Sequence, residues 1–226
     1  EPIRKVLDAM RKKGYHIMHT REGHRPDLAD LPRPLDYMTR EAVDVLPEVL
    51  DQIGAEGYVL LGHSDGATIA AEYAGRVSDV RIRGLILIAP HFFTEPSGLA
   101  EIAKAKEAYE EGGLKEKMAR YHKDPDNTFR GWNDSWLAPG FKDWNVAEVI
   151  DYWRIPCLAI QGRDDQYGTL AQVAEVETRS YAPVDVEILP DCRHSPHLDQ
   201  PQAVLDAVAE FAARLVRIER EEVVPV

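Results

Sequence analysis

Compact apolar runs alternate along this chain with stretches whose apolar residues recur at helical spacing. The runs at residues 58–61, 82–89, 155–161 and 184–189 predict strands, the first two of the kind buried on both faces of a parallel sheet. Around them lie predicted helices. Ala42, Leu46, Val49 and Ile53 keep helical spacing over residues 37–53, where Pro47 is expected to kink or break the helix and Gly54 to end it. After the first run, Gly66, Ala67, Ala70, Ala71 and Ala74 give a helix a small-residue face that lets it press close to a sheet. A further helix is predicted over residues 169–180. A last one starts near Asp199, with Gln202 as a reciprocal cap and Val204, Val208, Phe211 and Leu215 as its apolar stripe. At the beginning of the chain, residues 3–13 predict an amphipathic helix, residues 15–20 a short strand, and residues 21–34, rich in Pro, Asp and Gly, a loop. The repeated alternation predicts an α/β fold, a mostly parallel sheet covered by helices.

Residues 92–153 interrupt this alternation. Leu99, Ile102, Ala105 and Tyr109 stripe one predicted helix, Gly112 and Gly113 break it, and Leu114, Met118 and Tyr121 stripe another. Trp132, Trp136, Phe141 and Trp144 follow close together. Most of these aromatics are expected to pack the segment's own small core, while one or two line a pocket, with Trp132 and Trp136 as the candidates. The expected organisation is a core of residues 1–91 and 154–226, with residues 92–153 as a helical cap folded over the carboxyl ends of the strands.

Composition narrows the partners. A length of 226 residues suits one large domain or a domain with a modest insertion. The formal net charge of -12, with no basic run, argues against nucleic acid as a partner. No apolar stretch approaches membrane-spanning length, so no membrane partner is expected. Cys157 and Cys192 lie far apart and suggest no disulfide framework; a reducing cytoplasm is the expected compartment. Nothing in the pattern bears on the oligomeric state.

Gly62-x-Ser64-x-Gly66, between the first apolar run and the small-residue helix, matches a nucleophile elbow, a strained turn that lifts a serine hydroxyl out of the backbone. The helix directs its positive end at the same turn. The N–H of Asp65, the residue after the serine, is the candidate oxyanion donor, and its side chain reads as a favourable charge at a helix N-terminus. A serine hydroxyl needs a base, and an imidazole base needs a carboxylate to orient it. Both types follow strands: Asp164 and Asp165 after residues 155–161, His194 and His197 after residues 184–189. The order is Ser, Asp, His, with either carboxylate and either imidazole open on spacing alone. Cys192, His194, His197 and Asp199 match no standard structural zinc spacing, so no metal is expected. His63 is expected to point away beneath the turn as a satisfied core histidine, and His91, just after the second run, is a candidate pocket residue.

These motifs, in this order and each after a strand, resemble the α/β-hydrolase fold superfamily over residues 15–215, closest to its lidded carboxylesterases, lactonases and carbon–carbon bond hydrolases. The resemblance implies Asp165 as the acid, three residues after Gly162, and His194 as the base, with His197 structural. It also implies the cap at residues 92–153 and hydrolysis of a small ester, lactone or related carbonyl compound without a cofactor. The alternatives are a ligand-binding member with little or no catalysis and a carbon–carbon bond hydrolase. The chain departs from the family in three places. The earlier strands, and the His-Gly type loop that gives the second oxyanion donor, are not found, so the N-terminal strands are expected to be absent. Gly23-His24-Arg25-Pro26 replaces a Gly-x-Gly-x-Ser turn. Arg193 stands where a glycine commonly precedes the histidine, and is expected either to perturb His194 or to reach the pocket as a cation.

Overall fold

The computed structural model describes residues 37–221. The elements expected over residues 3–13, 15–20 and 21–34 lie outside the described residues. Strands β1 (Tyr58–His63), β2 (Ile82–Ile88), β3 (Cys157–Gly162) and β4 (Val184–Leu189) form a sheet in that order, with every neighbouring pair parallel. The register pairs His63 with Ile88, Ile88 with Ile160, and Gly162 with Leu189. The carboxyl ends of all four strands are therefore level, and the loops carrying the candidate chemistry leave the sheet along one edge.

Strand β2 shows why the order is stable. Its Leu85 and Leu87 pack with Ala67 and Ala71 of helix α3 (Asp65–Arg76) and with Trp153 and Val176 on one face. Ile86 and Ile88 meet Val208, Phe211 and Leu215 of helix α9 (Pro201–Glu221) on the other. Each large side chain fully buried in this way contributes roughly 1.5–3 kcal/mol. Val176 belongs to helix α7 (Ala171–Arg179), which links β3 to β4. Strand β1 differs from its expectation of burial on both faces. Helix α9 packs over β2 and β3, and Leu61, beyond its edge, is 39% exposed.

Before β1 the predicted helix is present but divided. Helix α1 (Tyr37–Arg40) runs into a π-helical turn (Glu41–Val45) and then helix α2 (Leu46–Ile53). Pro47 enters the first turn of α2, where its missing N–H costs least, and the widened turn lies immediately before it. At the other end, α9 begins at Pro201 rather than near Asp199, after a short helix α8 (Pro196–Asp199). The reciprocal cap is not formed: the Asp199 carboxylate accepts from Arg193 N, and Gln202 donates to Asp206. The predicted apolar stripe of α9 is buried throughout.

Residues 92–153 hold α4 (Pro96–Glu111), α5 (Leu114–Met118) and α6 (Pro125–Trp136), followed by 3-10 turns at Pro139–Phe141 and Ala147–Tyr152. The expected stripe through Tyr121 stops short, because α5 is only five residues long and Tyr121 is exposed. Helix α6 was not predicted, although its signal is local: the Asp124 side chain accepts from Asn127 N at 2.9 Å and Pro125 takes the first turn. Trp136, Phe141 and Trp144 form the expected aromatic cluster, but they share it with Tyr37 and Met38 of α1. Cys157 and Cys192 are buried and unbridged. No described helix is long and apolar enough to cross a membrane.

Candidate active site

The turn from β1 into α3 is forced by contact. A Cβ on Gly62 would lie 2.2 Å from the Gly66 carbonyl oxygen, so a side chain there would drive strand and helix apart. A Cβ on Gly66 would meet nothing within 4 Å, so of the two glycines only Gly62 clears the turn. Between them Ser64 sits at φ 55 and ψ -126, a conformation costing on the order of 1–3 kcal/mol. It is held from both sides. Ser64 N donates to Ile88 O at 2.9 Å, and the Ser64 carbonyl accepts from Ala67 N at 2.8 Å and Thr68 N at 3.2 Å.

From this perch Ser64 Oγ lies 2.9 Å from His194 Nε2, and His194 Nδ1 lies 2.8 Å from Asp165 Oδ2. Asp165, not Asp164, faces the ring, and Asp164 is exposed. The Asp165 side chain is 1% exposed and fully engaged: Oδ2 also accepts from Gln161 Nε2 at 2.8 Å, and Oδ1 from Tyr167 N at 2.8 Å. Burial by itself would raise its pKa, yet the His194 hydrogen bond and charge and the Tyr167 amide hold the carboxyl below its usual range. An ionised Asp165 can only accept, so His194 carries its proton on Nδ1 and presents a lone pair on Nε2 to the serine hydroxyl.

The acid loop and the histidine loop are locked together. A Cβ on Gly162 would stand 2.2 Å from the Arg193 carbonyl oxygen and 2.4 Å from that of Cys192, and Asp164 N donates to Cys192 O at 2.9 Å. Arg193 is exposed and does not reach the pocket; its N–H is held by Asp199 at 2.9 Å. Above the serine opens a cavity of about 330 Å³. Its floor is polar, with His63, Ser64, Asp65, His91, Tyr167 and His194. Its roof is mostly apolar: Ile102 and Ala105 from α4, Leu114 and Met118 from α5, Phe129 and Trp132 from α6, with Thr128 of α6 the one polar side chain among them. Trp136 joins the two.

A sequence model described as "Alpha/beta hydrolase family" matches residues 5–207. The chain belongs to the alpha/beta hydrolase family. Solved structures agree on the fold. A carboxylesterase structure from the thaumarchaeon Nitrososphaera gargenis superposes with TM-score 0.73 at 16% identity, over 96% of this chain and 86% of the other. An esterase from Exiguobacterium antarcticum gives TM-score 0.64 at 18% identity, over 84% and 78%. A meta-cleavage product hydrolase from Pseudomonas fluorescens gives TM-score 0.56 at 18% identity, over 82% and 75%.

In this α/β-hydrolase one histidine beside the serine is engaged otherwise than its sequence position suggests. His63 does not point away beneath the turn. It donates from Nε2 to the His194 carbonyl at 2.8 Å and packs against the rings of His194 and His197. Burial, and then the charge of His194, push it down to about 4, so it is a neutral brace for the histidine loop. His197 makes no contact with the serine and takes an edge position on His63. His91 and Trp136 line the cavity, ring edge to ring face at 5.1 Å. Among the described residues no group of three His, Cys, Asp or Glu side chains converges as metal ligands would.

One side chain is placed otherwise than the sequence suggests, and two more, Gln161 and Tyr167, gave no signal in it. The Asp65 carboxylate faces inward, accepting from Tyr37 Oη and, at 3.3 Å, from Trp136 Nε1, so it ties the elbow to α1 and α6 instead of only facing the helix dipole. Gln161, the penultimate residue of β3, and Tyr167, edge-on to His194 at 4.9 Å, complete the surroundings of the acid.

Proposed function

We propose that this chain is a serine hydrolase of a small carbonyl compound, an ester or lactone, acting through Ser64, His194 and Asp165. The observation that carries the reading is the continuous hydrogen-bonded line from Ser64 Oγ through both nitrogens of His194 to a buried, ionised Asp165. Ser64 Oγ attacks the carbonyl carbon as His194 Nε2 takes its proton. The Asp65 N–H, at the head of α3, supports the oxyanion. The carbon–oxygen bond to the leaving group breaks, and His194 returns the proton to the departing alcohol. Water, deprotonated by the same nitrogen, then releases the acid and restores Ser64. Residues 92–153 act as a cap whose mostly apolar roof receives the non-reacting part of the substrate. The buried, unbridged cysteines support a reducing, cytoplasmic setting.

The test is the intact mass of the chain after exposure to a small fluorophosphonate, beside Ser64→Ala. One adduct, lost in the variant, is expected, together with ester turnover that falls by up to about a millionfold in Ser64→Ala. A folded wild-type chain that takes no adduct and turns over no ester overturns the proposal in favour of a ligand-binding role.

A further inference from the structure

His91 takes no part in the Ser64–His194–Asp165 line, yet the fold goes to some length to hold its ring in the cavity. It follows β2 through Ala89, itself at φ 48. Its carbonyl accepts from Thr68 Oγ1 at 2.7 Å, and the next residue, Phe92, donates from its N–H to Gln172 Oε1 at 2.7 Å. The ring stands edge-on to Trp136 and 5.5 Å from the ring of His194, centroid to centroid. Gly168 makes room for it: a Cβ there would lie 3.1 Å from Cε1 and 3.2 Å from Nδ1. His63 and His194 spend ring nitrogens on hydrogen bonds, whereas no described residue hydrogen-bonds either ring nitrogen of His91.

Burial, and then the charge of His194, push its pKa down to about 3, so at neutral pH the ring is uncharged, with one N–H donor and one acceptor nitrogen. The ring lines the cavity with neither nitrogen engaged by a described residue, so both are open to a bound ligand carrying the matching group, and such a hydrogen bond is worth a net ~0.5–1.5 kcal/mol. The position of the ring limits that group to the neighbourhood of the reacting carbon. The Ser64 hydroxyl is 2.9 Å from His194 Nε2, and the His91 ring flanks the same imidazole in the cavity that opens above the serine.

We propose that His91 is a specificity-determining residue that hydrogen-bonds a second oxygen of the substrate, so that the site takes hydroxyacyl or oxoacyl esters and lactones with an apolar remainder under the roof. The inference rests on Ser64 being the nucleophile.

The experiment compares kcat/KM for ethyl hexanoate with that for ethyl 2-hydroxyhexanoate, 3-hydroxyhexanoate and 3-oxohexanoate, followed by acid release. The wild-type chain is expected to favour at least one substituted ester by about three- to tenfold. His91→Phe, which keeps an aromatic edge on Trp136 but has no nitrogen, should bring that ratio close to one. His91→Gln, which keeps a donor and an acceptor, should retain most of it and also serves if the Phe variant does not fold. The same ratio in folded His91→Phe, loss of the ratio in folded His91→Gln, or a wild-type chain indifferent to the added oxygen overturns the proposal. Fluorophosphonate labelling run beside each sample separates the readings. Absence of an adduct on the wild-type chain is a failure of the serine mechanism, whereas an adduct without a changed ratio is a failure of the His91 role alone.

Discussion

Replacing Asp165 by Asn changes one atom and sets the hydrogen bonds of that carboxylate against each other. Oδ1 accepts from Tyr167 N and Oδ2 from Gln161 Nε2, each at 2.8 Å, while the His194 Nδ1 proton is shared between Oδ2 at 2.8 Å and Oδ1 at 3.0 Å. An amide NH₂ placed at Oδ1 would face the Tyr167 N–H, donor to donor. Placed at Oδ2 it would face the Gln161 amide and oblige His194 to accept on Nδ1, which moves the ring proton to Nε2, where it points at Ser64 Oγ. In the second arrangement the base has no lone pair for the serine proton; in the first, a buried donor goes unmatched at about 1–3 kcal/mol. The weaker of the donor clashes decides, and the Gln161 side chain can turn where the Tyr167 backbone cannot, so the inactive tautomer should prevail. The expected loss is on the order of a thousandfold to ten thousandfold in kcat, or about 4–5.5 kcal/mol, as for other triads in which the tautomer is reversed. The assay is kcat for a 4-nitrophenyl ester together with the fluorophosphonate inactivation rate, with thermal melting as the check on folding. Asp164→Asn, a change at the exposed neighbour, is the control and should stay within a few-fold of wild type. A folded Asp165→Asn enzyme within tenfold of wild type would refute the tautomer argument.

Further outcomes test the scaffold. Burial first, and then the charge of His194, hold His91 at about 3 and His63 at about 4, below the ordinary 6.5 that each regains on unfolding. The unfolded state then binds more protons, so their contribution is whole above pH 6.5 and fades as pH falls towards 4 and 3, by up to about 1.4 kcal/mol per pH unit per group. The lowered Asp165 adds in the same direction below its ordinary range. Urea midpoints at pH 7.5, 6 and 4.5 should fall in that order, and a level series would contradict the burial of these rings. Gly162→Ala brings a methyl within 2.4 Å of two carbonyls of the histidine loop and should cost activity more than tenfold, with a lower melting point. Gly66→Ala meets nothing within 4 Å, lies in the first turn of α3, and should leave the melting point unchanged or slightly raised. Met118→Trp fills part of the roof and should depress kcat/KM for a hexanoate ester more than for an acetate ester, which a side-by-side rate comparison reads directly.

Much of this α/β-hydrolase was visible in local patterns, because strands, elbow and helix are set by contacts within a few residues. The runs at β2, β3 and β4 are where a parallel sheet would put them, and Ser64 takes the positive φ that its flanking motif predicts. Helix α6 escaped because its stripe carries Phe129, Trp132 and Trp136 among polar residues, although Asp124 and Pro125 mark its start. Likewise, Asp199 reads as a cap only while its neighbours along the chain are considered. In space it serves Arg193, and so fixes the loop that carries His194.

The sequence by itself therefore determined the alternation of strands and helices, the strained serine turn, and the order in which serine, carboxylate and imidazole follow their strands. Spacing left Asp164 and Asp165 both open and the family resemblance implied Asp165; in the tertiary structure it is Asp165 that meets the ring. The two share one turn, which Gly162 lets approach the histidine loop; there Asp164 contributes its N–H to Cys192 O while the Asp165 carboxylate meets His194 Nδ1. Only the tertiary structure brings in Tyr37, which reaches the Asp65 carboxylate from a distant part of the chain, whereas Trp136 and His91, candidates from the sequence, do line the cavity. Periodicity reports which face of an element is buried; it carries no information on what that face is buried against, and in this protein the pocket is made of those encounters.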